Sequence, residues 1–295
     1  MATAPRSLRL ISFGRSSIVA LARARGLFAE RGLDVEATIT PSSTEQMRGV
    51  SEGRWDIAST AFDNVLAWSG REGAEFVAVA HAVGEVELTL YVRPEIDGWE
   101  ALRGRKLAVD AVDTAFGLVL RRILLDHDLD FDRGDYELVA EGATGSRLES
   151  MQRGDTVAAI LGPPWAQQGE GDGFVRFASH RDVVPDYPRG VFAVTRTWAA
   201  KNTPALVGFL GALEAARRWA VEAPAEAAAL LATEEGTSAE AAVASLGRES
   251  LGLGLDLARL AVALELRLAL GLAPPLGAEL ARYVDGSFHE EAAGG

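Results

Sequence analysis

Short apolar segments alternate with amphipathic ones over most of the chain before residue 200. Apolar or alternating runs predict strands at residues 8–13, 34–39, 57–58, 76–82, 87–93, 106–110, 136–140, 156–161 and 191–195. Between the strands, helices are predicted at 62–69, 116–124 and 146–152. In the range 116–124, apolar residues recur at three- and four-residue spacing, which is typical of a helix with one apolar face. This alternation is typical of an α/β fold with mainly parallel sheets.

The last third of the chain is rich in alanine and leucine and predicts a helical segment. Thr203 followed by Pro204 indicates a helix start, because threonine caps helices and proline fits their first turn. Further helices are expected near 224–234, 238–247 and 256–270. The alanine content reflects helix propensity and marks no site.

One pattern occurs twice: a glycine, a short apolar strand and a polar loop, at residues 53–64 and again at 154–165. Ligands bind at the carboxyl ends of strands in open α/β sheets, so the two loops predict two related lobes that face a shared cleft. One lobe is expected to comprise residues 1–93 and 190–295, with the C-terminal helices, and the other 94–189. The chain would then cross between lobes near residues 93 and 190. Two hinged lobes are typical of proteins that close on a ligand.

Charge and composition narrow the classes of function. The chain has 29 basic and 42 acidic residues, a net charge of −13 and no basic run, so no nucleic-acid partner is expected. The absence of cysteine excludes disulfides, thiolate nucleophiles and cysteine-ligated metals. No apolar run has the length of a membrane span, so no membrane insertion is expected. The first ten residues lack the apolar core of a signal peptide, which predicts a cytoplasmic protein as written; a chain trimmed of its signal peptide would look the same.

Several segments, in a fixed order, resemble type 2 periplasmic solute-binding proteins of the alkanesulfonate, nitrate and thiamine-precursor group. They are ARGLFAERGLDV at 24–35, GRWDIA at 53–58, DNVLA at 63–67 and LRGRKLAVD at 102–110, followed by a second Gly-Asp unit within 148–164. The resemblance runs from about residue 8 to about residue 220. It implies a two-lobed Venus-flytrap fold with a small organic anion, sulfonate or heteroaromatic in the cleft. It also implies an ABC permease as partner if the protein is exported.

The same fold also hosts cytoplasmic enzymes, and the resemblance brings them in as an alternative. They include an aromatic sulfinate desulfinase, a dihydroxyphthalate decarboxylase and menaquinone enzymes of the futalosine pathway. The desulfinase uses a cysteine nucleophile, and pyrimidine synthases of the thiamine branch carry a cysteine-rich iron-binding segment; this chain has no cysteine. The four histidines show no metal-ligand spacing, so neither a metal nor a cofactor is expected.

Arg15 and Ser16 follow the first predicted strand and precede a helix. Free N–H groups at a helix start, together with a guanidinium, form a seat for a carboxylate or sulfonate. We therefore expect Arg15 to pair with an acidic ligand. The alternative is that Ser16 or Ser17 only caps the helix while Arg15 is solvated.

Two other loops carry candidate ligand contacts. Thr60, Asp63 and Asn64 end the first repeat, and three polar residues exceed what one helix cap needs; N-capping by Thr60 is the alternative. In the second lobe, Thr114 is expected as a cap and donor. Phe116 is expected as a stacking wall, with a place in the core as the alternative.

Aromatic candidates stand at the second repeat and before the return strand. Pro163 and its neighbouring proline make a rigid loop that presents Trp165 as a face for an aromatic ligand. Packing of Trp165 between the lobes is the alternative. Tyr187 is a second candidate of the same kind.

Two functions follow as hypotheses. The first is a small-molecule binding protein whose ligand is a small, partly aromatic organic acid. The alternative is a cytoplasmic lyase or hydrolase, decarboxylase-like and independent of cysteine and metal, with His81 as general acid or base and Asp63 or Arg15 assisting. His81 ends an apolar strand, so a hydrogen-bonded core histidine is its other interpretation. An intracellular ligand sensor is a third option.

Overall fold

The computed structural model describes residues 4–82, 84, 86–249 and 252–294. Its strands are β1 (Arg6–Ser12), β2 (Leu33–Ile39), β3 (Ile57–Thr60), β4 (Phe76–His81), β5 (Thr89–Val92), β6 (Lys106–Val109), β7 (Glu137–Ala140), β8 (Ala158–Leu161), β9 (Val175–Ser179) and β10 (Val191–Thr195). Its α-helices are α1 (Ser17–Ala24), α2 (Ser43–Ser51), α3 (Phe62–Trp68), α4 (Phe116–Leu125), α5 (Thr144–Arg153), α6 (Trp165–Gly171), α7 (Arg196–Glu222), α8 (Pro224–Glu235), α9 (Ala239–Glu249), α10 (Leu257–Ala269) and α11 (Ser287–Gly294).

The strands form two five-stranded sheets of the same design, in the orders β2-β1-β3-β10-β4 and β7-β6-β8-β5-β9. In the first sheet β1 is parallel to β2 and β3, whereas β10 is antiparallel to β3 and β4. In the second, β6 is parallel to β7 and β8, whereas β5 is antiparallel to β8 and β9. The reversed strand of each sheet is the one that enters from the other sheet. The predicted two-lobed α/β fold is confirmed, with mixed rather than purely parallel sheets.

The first crossing between the sheets lies upstream of the predicted position. The strand predicted at 87–93 is β5, and β5 pairs with β8 and β9 of the second sheet. The chain therefore crosses between β4 and β5, not near residue 93. The second crossing lies between β9 and β10, a stretch that includes residue 190. An isolated strand pattern does not say which sheet the strand joins, because pairing is decided by side-chain packing across strands.

The helical C-terminal segment begins earlier than predicted. Thr195 caps α7 by accepting a hydrogen bond from the Trp198 N–H at 3.2 Å. The predicted start at Thr203 and Pro204 lies inside α7, directly after Asn202, whose backbone is non-helical. The range 196–222 therefore comprises two helical segments, and the predicted start at Thr203 and Pro204 is the first turn of the second segment. No helix in the described part of the chain is both long and apolar enough to span a membrane.

The hydrophobic core continues from one lobe into the other through α10. Ile11 and Phe62 of the first lobe belong to the same buried cluster as Leu90 and Leu118 of the second, and Leu260 of α10 joins them. α10 packs against both α3 and α4. Helix α10 therefore ties the two lobes together beside the space that separates their sheets.

Candidate functional site

A cleft of about 330 Å³ lies between the two sheets. Loops at the carboxyl ends of β1, β3, β6 and β8 line it, as expected for a ligand site in an open α/β sheet. Eight of the residues predicted to bind ligand line this cleft: Arg15, Ser16, Thr60, Asn64, Phe116, Pro163, Trp165 and Tyr187. Asp63 and Thr114 are not among its lining residues. Contact of the lining residues with a ligand stays a prediction.

Arg147, which the sequence did not single out, is a buried cation at this cleft. It lies in the first turns of α5 and is 3% exposed. Its Nη1 donates to the Gly142 carbonyl at 3.2 Å and its Nη2 to the Thr144 hydroxyl at 2.8 Å. Its Nε has no acceptor, and no carboxylate in the described part of the chain forms an ion pair with it. Burial lowers the pKa of Arg147 to about 10, so the group stays charged at neutral pH.

The other charged groups at the cleft are Arg15 and Asp110. Arg15 is exposed. The Asp110 carboxylate accepts a hydrogen bond from the Ser43 N–H at 3.3 Å and partly offsets the effect of burial on the pKa of Arg147. Among the described residues, the cleft thus has two cations and one anion in a chain of net charge −13. Its local field therefore favours an anionic guest that the whole molecule would repel.

The start of α1 is occupied by a carboxylate of the chain itself. Glu249, at the end of α9, accepts hydrogen bonds from the Ser16 hydroxyl at 2.8 Å, the Ser17 N–H at 3.1 Å and the Ile18 N–H at 3.3 Å. Ser16 also caps α1, as its alternative interpretation held, by accepting from the Val19 N–H. The N–H groups that we expected to be free for a ligand are therefore already satisfied.

Thr60 and Asn64 form a hydrogen-bonded pair on the wall of the first lobe. The Asn64 Nδ2 donates to the Thr60 hydroxyl at 2.9 Å. Thr60 does not cap α3, which begins at Ala61 without a side-chain cap. Asn64 is 1% exposed, and its Oδ1 has no donor partner. This leaves a buried acceptor on a residue that lines the cleft.

Aromatic side chains and prolines form the apolar part of the cleft wall. Phe116 is half-buried, whereas Trp165 is 39% exposed and stands at the first position of α6. A Cβ added at Gly145 would lie 3.3 Å from the Trp165 ring, so the indole packs against the start of α5. Tyr187 is buried, and its hydroxyl has no partner. Burial raises the pKa of Tyr187 and keeps the phenol neutral.

Asp63 joins the two lobes instead of lining the cleft. Its carboxylate accepts a hydrogen bond from the Ala115 N–H at 2.6 Å and forms a buried ion pair with Arg267 of α10 at 3.0 Å. Arg267 also donates to the Asp113 carbonyl at 3.1 Å. Burial raises the pKa of Asp63, and Arg267 and the Ala115 N–H oppose that shift. Asp63 therefore has a structural partner for each of its oxygens.

Thr114 lies beside this junction and does not cap α4. The N-cap position of α4 is Ala115, whose φ of 48° is unusual for a residue other than glycine. Thr114 is buried, and its hydroxyl has no partner. Further contacts between the lobes run from the Ala143 N–H to the Pro41 carbonyl, at 2.8 Å.

His81 lies at the end of β4 and is held by backbone groups at both ring nitrogens. The Asp256 N–H donates to its Nε2 at 3.0 Å, which leaves Nδ1 as the donor to the Gly190 carbonyl at 3.2 Å. His81 is fully buried, is not a lining residue of the cleft, and burial lowers its pKa to about 4. The neutral ring thus links the start of α10 to the end of β4 and to Gly190, the residue before β10.

The sequence matches the NMT1-like family over residues 11–233, which is most of the chain. A search of curated protein sequences finds no match.

Solved structures of several solute-binding proteins share the fold. The alkanesulfonate-binding protein SsuA from Xanthomonas axonopodis pv. citri, solved bound to MOPS, is 18% identical with a TM-score of 0.74, covering 96% of this chain and 99% of that chain. The periplasmic nitrate-binding protein NrtA from Synechocystis PCC 6803 is 15% identical with a TM-score of 0.77, covering 99% and 89%. The desulfurization enzyme DSZB is 16% identical with a TM-score of 0.67, covering 98% and 99%.

At these identities the structural likeness establishes the fold and leaves the ligand open. The resemblance to type 2 solute-binding proteins is confirmed by both comparisons. The matched stretch runs from the end of β1 into α8 and so includes all of β2 to β10. The chain belongs to the NMT1-like family.

Proposed function

We propose that this protein binds a small, partly aromatic organic anion in its cleft and acts as a solute-binding protein. The observation that carries this proposal is Arg147, a buried guanidinium at the cleft that forms no ion pair with a carboxylate of the described residues and feels only the through-space charge of Asp110. A buried charge is costly unless an opposite charge pairs with it. A carboxylate or sulfonate is the group that this guanidinium lacks, since both accept its parallel N–H donors.

The remaining wall suits the organic part of such a ligand. Phe116, Trp165 and Tyr187 present aromatic surface around the cleft, and the Trp165 indole lies beside the start of α5. The Tyr187 hydroxyl supplies a further donor for an acid oxygen. A volume of about 330 Å³ is at the lower end of the range of roughly 300–1,000 Å³ for small-molecule sites, which favours a single ring with its substituents.

The geometry favours binding over catalysis by His81. A general base must reach the proton that it removes, either directly or through one water. Both ring nitrogens of His81 are engaged by backbone groups, and His81 does not line the cleft. The same holds for Asp63, whose carboxylate is taken by Ala115 and Arg267. The fold shared with DSZB keeps an enzyme as the alternative, with no residue of this cleft assigned to it.

A role in transport follows from the solute-binding neighbours. SsuA is named as an alkanesulfonate-binding protein and NrtA as a periplasmic nitrate-binding protein. We therefore extend the proposal to delivery of the bound anion to an ABC permease outside the cytoplasm. The cytoplasmic location expected from the first ten residues has no support from these neighbours. Genes for a permease and an ATPase beside this gene would support transport, whereas a catabolic cluster would favour the enzyme.

The proposal is tested by titrating aromatic acids into the purified protein by calorimetry. Benzenesulfonate and benzoate serve as anionic probes, and benzamide serves as the neutral one. We expect one or both acids to bind and benzamide not to. Arg147→Met should weaken acid binding by about 30-fold or more, because truncating one partner of a buried charge pair costs roughly 2–5 kcal/mol.

Arg153→Met is the matched control, since Arg153 ends the same helix, is exposed and forms an ion pair with Asp155 at the surface. It should bind the acids as wild type does. Equal affinity in Arg147→Met and wild type, with both folded, would contradict the assignment of Arg147. Failure of every acid to bind wild type would contradict an aromatic acid as the ligand.

A further inference from the structure

Two residues that line the cleft on opposite lobes each carry a buried polar atom without a partner. The Nε of Arg147 has no acceptor on the side of α5, and the Oδ1 of Asn64 has no donor on the side of α3. Both side chains are more than nine-tenths buried and both line the same cleft. An acid alone satisfies the first of these groups and leaves the second unpaired.

The orientation of the Asn64 amide is set by its neighbour. Its Nδ2 donates to the Thr60 hydroxyl at 2.9 Å, which turns Oδ1 away from Thr60. An amide oxygen accepts and never donates, so only an N–H or O–H group of a ligand can satisfy it. Buried acceptors without a partner are uncommon in folded proteins, and each calls for an explanation.

A second acceptor lies on the same cleft. One oxygen of Asp110 accepts from the Ser43 N–H, and its carboxylate gives the cleft a negative group besides its two cations. A site designed for a bare anion gains nothing from such a group, because like charges repel. An amino group carries two N–H donors, enough for the two acceptors Asn64 and Asp110, whereas a hydroxyl carries only one.

We propose that the ligand carries an N–H donor in addition to its acid, and that Asn64 Oδ1 recognises this donor across the cleft from Arg147. The ligand class is an amino-substituted aromatic acid. This inference rests on the proposed function and refines it from any small aromatic acid to one with a second polar end. Recognition from both lobes also couples ligand shape to lobe closure, since each lobe holds one end.

The test compares ligands that differ in one atom group of equal size. The 2-, 3- and 4-aminobenzenesulfonates are each titrated against the toluenesulfonate with its methyl group at the same position. We expect at least one amino isomer to bind wild type at least about tenfold more tightly than its methyl counterpart, because a polar site rejects an analogue that leaves it unpaired.

Asn64→Leu then removes the acceptor. The tenfold preference should fall to less than about twofold, while affinity for the toluenesulfonate changes little. Arg147→Met should weaken the amino and methyl ligands alike. Because the preference is measured first in the wild-type protein, the test stands even if Asn64→Leu does not fold.

The outcomes separate this inference from the proposed function. Equal binding of every amino and methyl pair, together with loss of binding in Arg147→Met, would leave the anion site intact and overturn the N–H donor. A preference for the amino ligand that survives Asn64→Leu would overturn the role of Asn64. Tighter binding of methoxybenzenesulfonates, which offer only an acceptor, would show that the amide presents its nitrogen to the ligand instead. Absence of binding by all these sulfonates would count against the proposed function itself.

Discussion

The start of α1 and the start of α5 are both places where the chain gathers donors at the cleft, and they differ in what fills them. At α1, the donors of Ser16, Ser17 and Ile18 are satisfied by Glu249. At α5, the hydrogen-bond partners of Arg147 among the described residues are a carbonyl and a hydroxyl, and its Nε has none there. The first arrangement is complete without a ligand, whereas the second is not.

This difference divides the residues into those that stabilise the fold and those that are available to bind a ligand. Asp63, His81 and the α1 start each have their hydrogen-bonding capacity met by groups of the same chain. Breaking them should lower the free energy of unfolding. Arg147 lacks such a partner, so changing it should lower ligand affinity. The variants below challenge this division, from the largest expected effect to the smallest.

Asp63→Asn should cause the largest loss of stability. It leaves the buried Arg267 guanidinium without a counter-charge, and breaking a buried pair in this way costs about 3–5 kcal/mol. Denaturant unfolding measures the change. Asp126→Asn is the control, because the Arg122–Asp126 pair is partly exposed and should contribute less than about 1 kcal/mol. Equal losses of unfolding free energy in the two variants would mean that the buried Asp63–Arg267 pair stabilises the protein no more than a surface pair does.

Acid should destabilise the protein through His81. Its pKa is about 4 in the folded protein and near 6.5 in the unfolded chain, so the unfolded chain binds the proton first. The contribution of neutral His81 to the free energy of unfolding is complete above pH 6.5. It is lost as the pH falls towards 4, and it amounts to about 3 kcal/mol. Unfolding curves from pH 7 to pH 4 measure it, with His81→Gln as the reference. Parallel pH profiles for wild type and His81→Gln would contradict the assignment.

Glu249→Ala opens the α1 start. It removes the acceptor of the Ser17 and Ile18 N–H groups, and loss of a helix cap of this kind costs about 1 kcal/mol. Ligand affinity should stay within about twofold of wild type, because the acid is expected at Arg147. Calorimetry and thermal unfolding of the same sample give both values. A large gain in affinity would indicate that the ligand competes with Glu249 for these N–H groups.

Arg15→Met should have the smallest effect. Arg15 is an exposed cation, and exposed charge pairs contribute about 0.2–1 kcal/mol in water. Affinity for the acid should fall by about threefold or less, and raising the salt concentration should reduce the difference further. Titration at two ionic strengths measures both. A loss of affinity as large as that in Arg147→Met would indicate that the acid binds to Arg15 in the first lobe.

The fold was largely predictable because strand and helix patterns are local. Each predicted strand appears in the structure, whereas α6 and β9 were missed because the stretch from 165 to 179 is interrupted by glycines and charged residues. The position of the first crossing was not predictable, since β5 looks the same whichever sheet it joins. The first segment of α7, from Arg196 to the break at Asn202, was missed, whereas Thr203 and Pro204 correctly predicted the start of the second segment.

The site was predictable in outline and not in its electrostatics. Loop position placed Arg15, Thr60, Asn64 and Trp165 around the cleft. It gave no sign that Glu249, which is 233 residues from Ser16, fills the α1 start. Arg147 had one local signal, because it adjoins the buried face of α5 formed by Leu148 and Met151. A cation there has little access to water, and its neighbours in sequence supply only a carbonyl and a hydroxyl as acceptors.

The central claim is that Arg147, and not the α1 start, receives the acid. A crystal structure of the protein with bound benzenesulfonate tests it most directly. We expect the sulfonate oxygens within hydrogen-bonding distance of the Arg147 guanidinium, with Glu249 still bound to Ser16 and Ser17. A sulfonate seated on the Ser17 and Ile18 N–H groups, with Glu249 displaced and Arg147 unchanged, would contradict the claim.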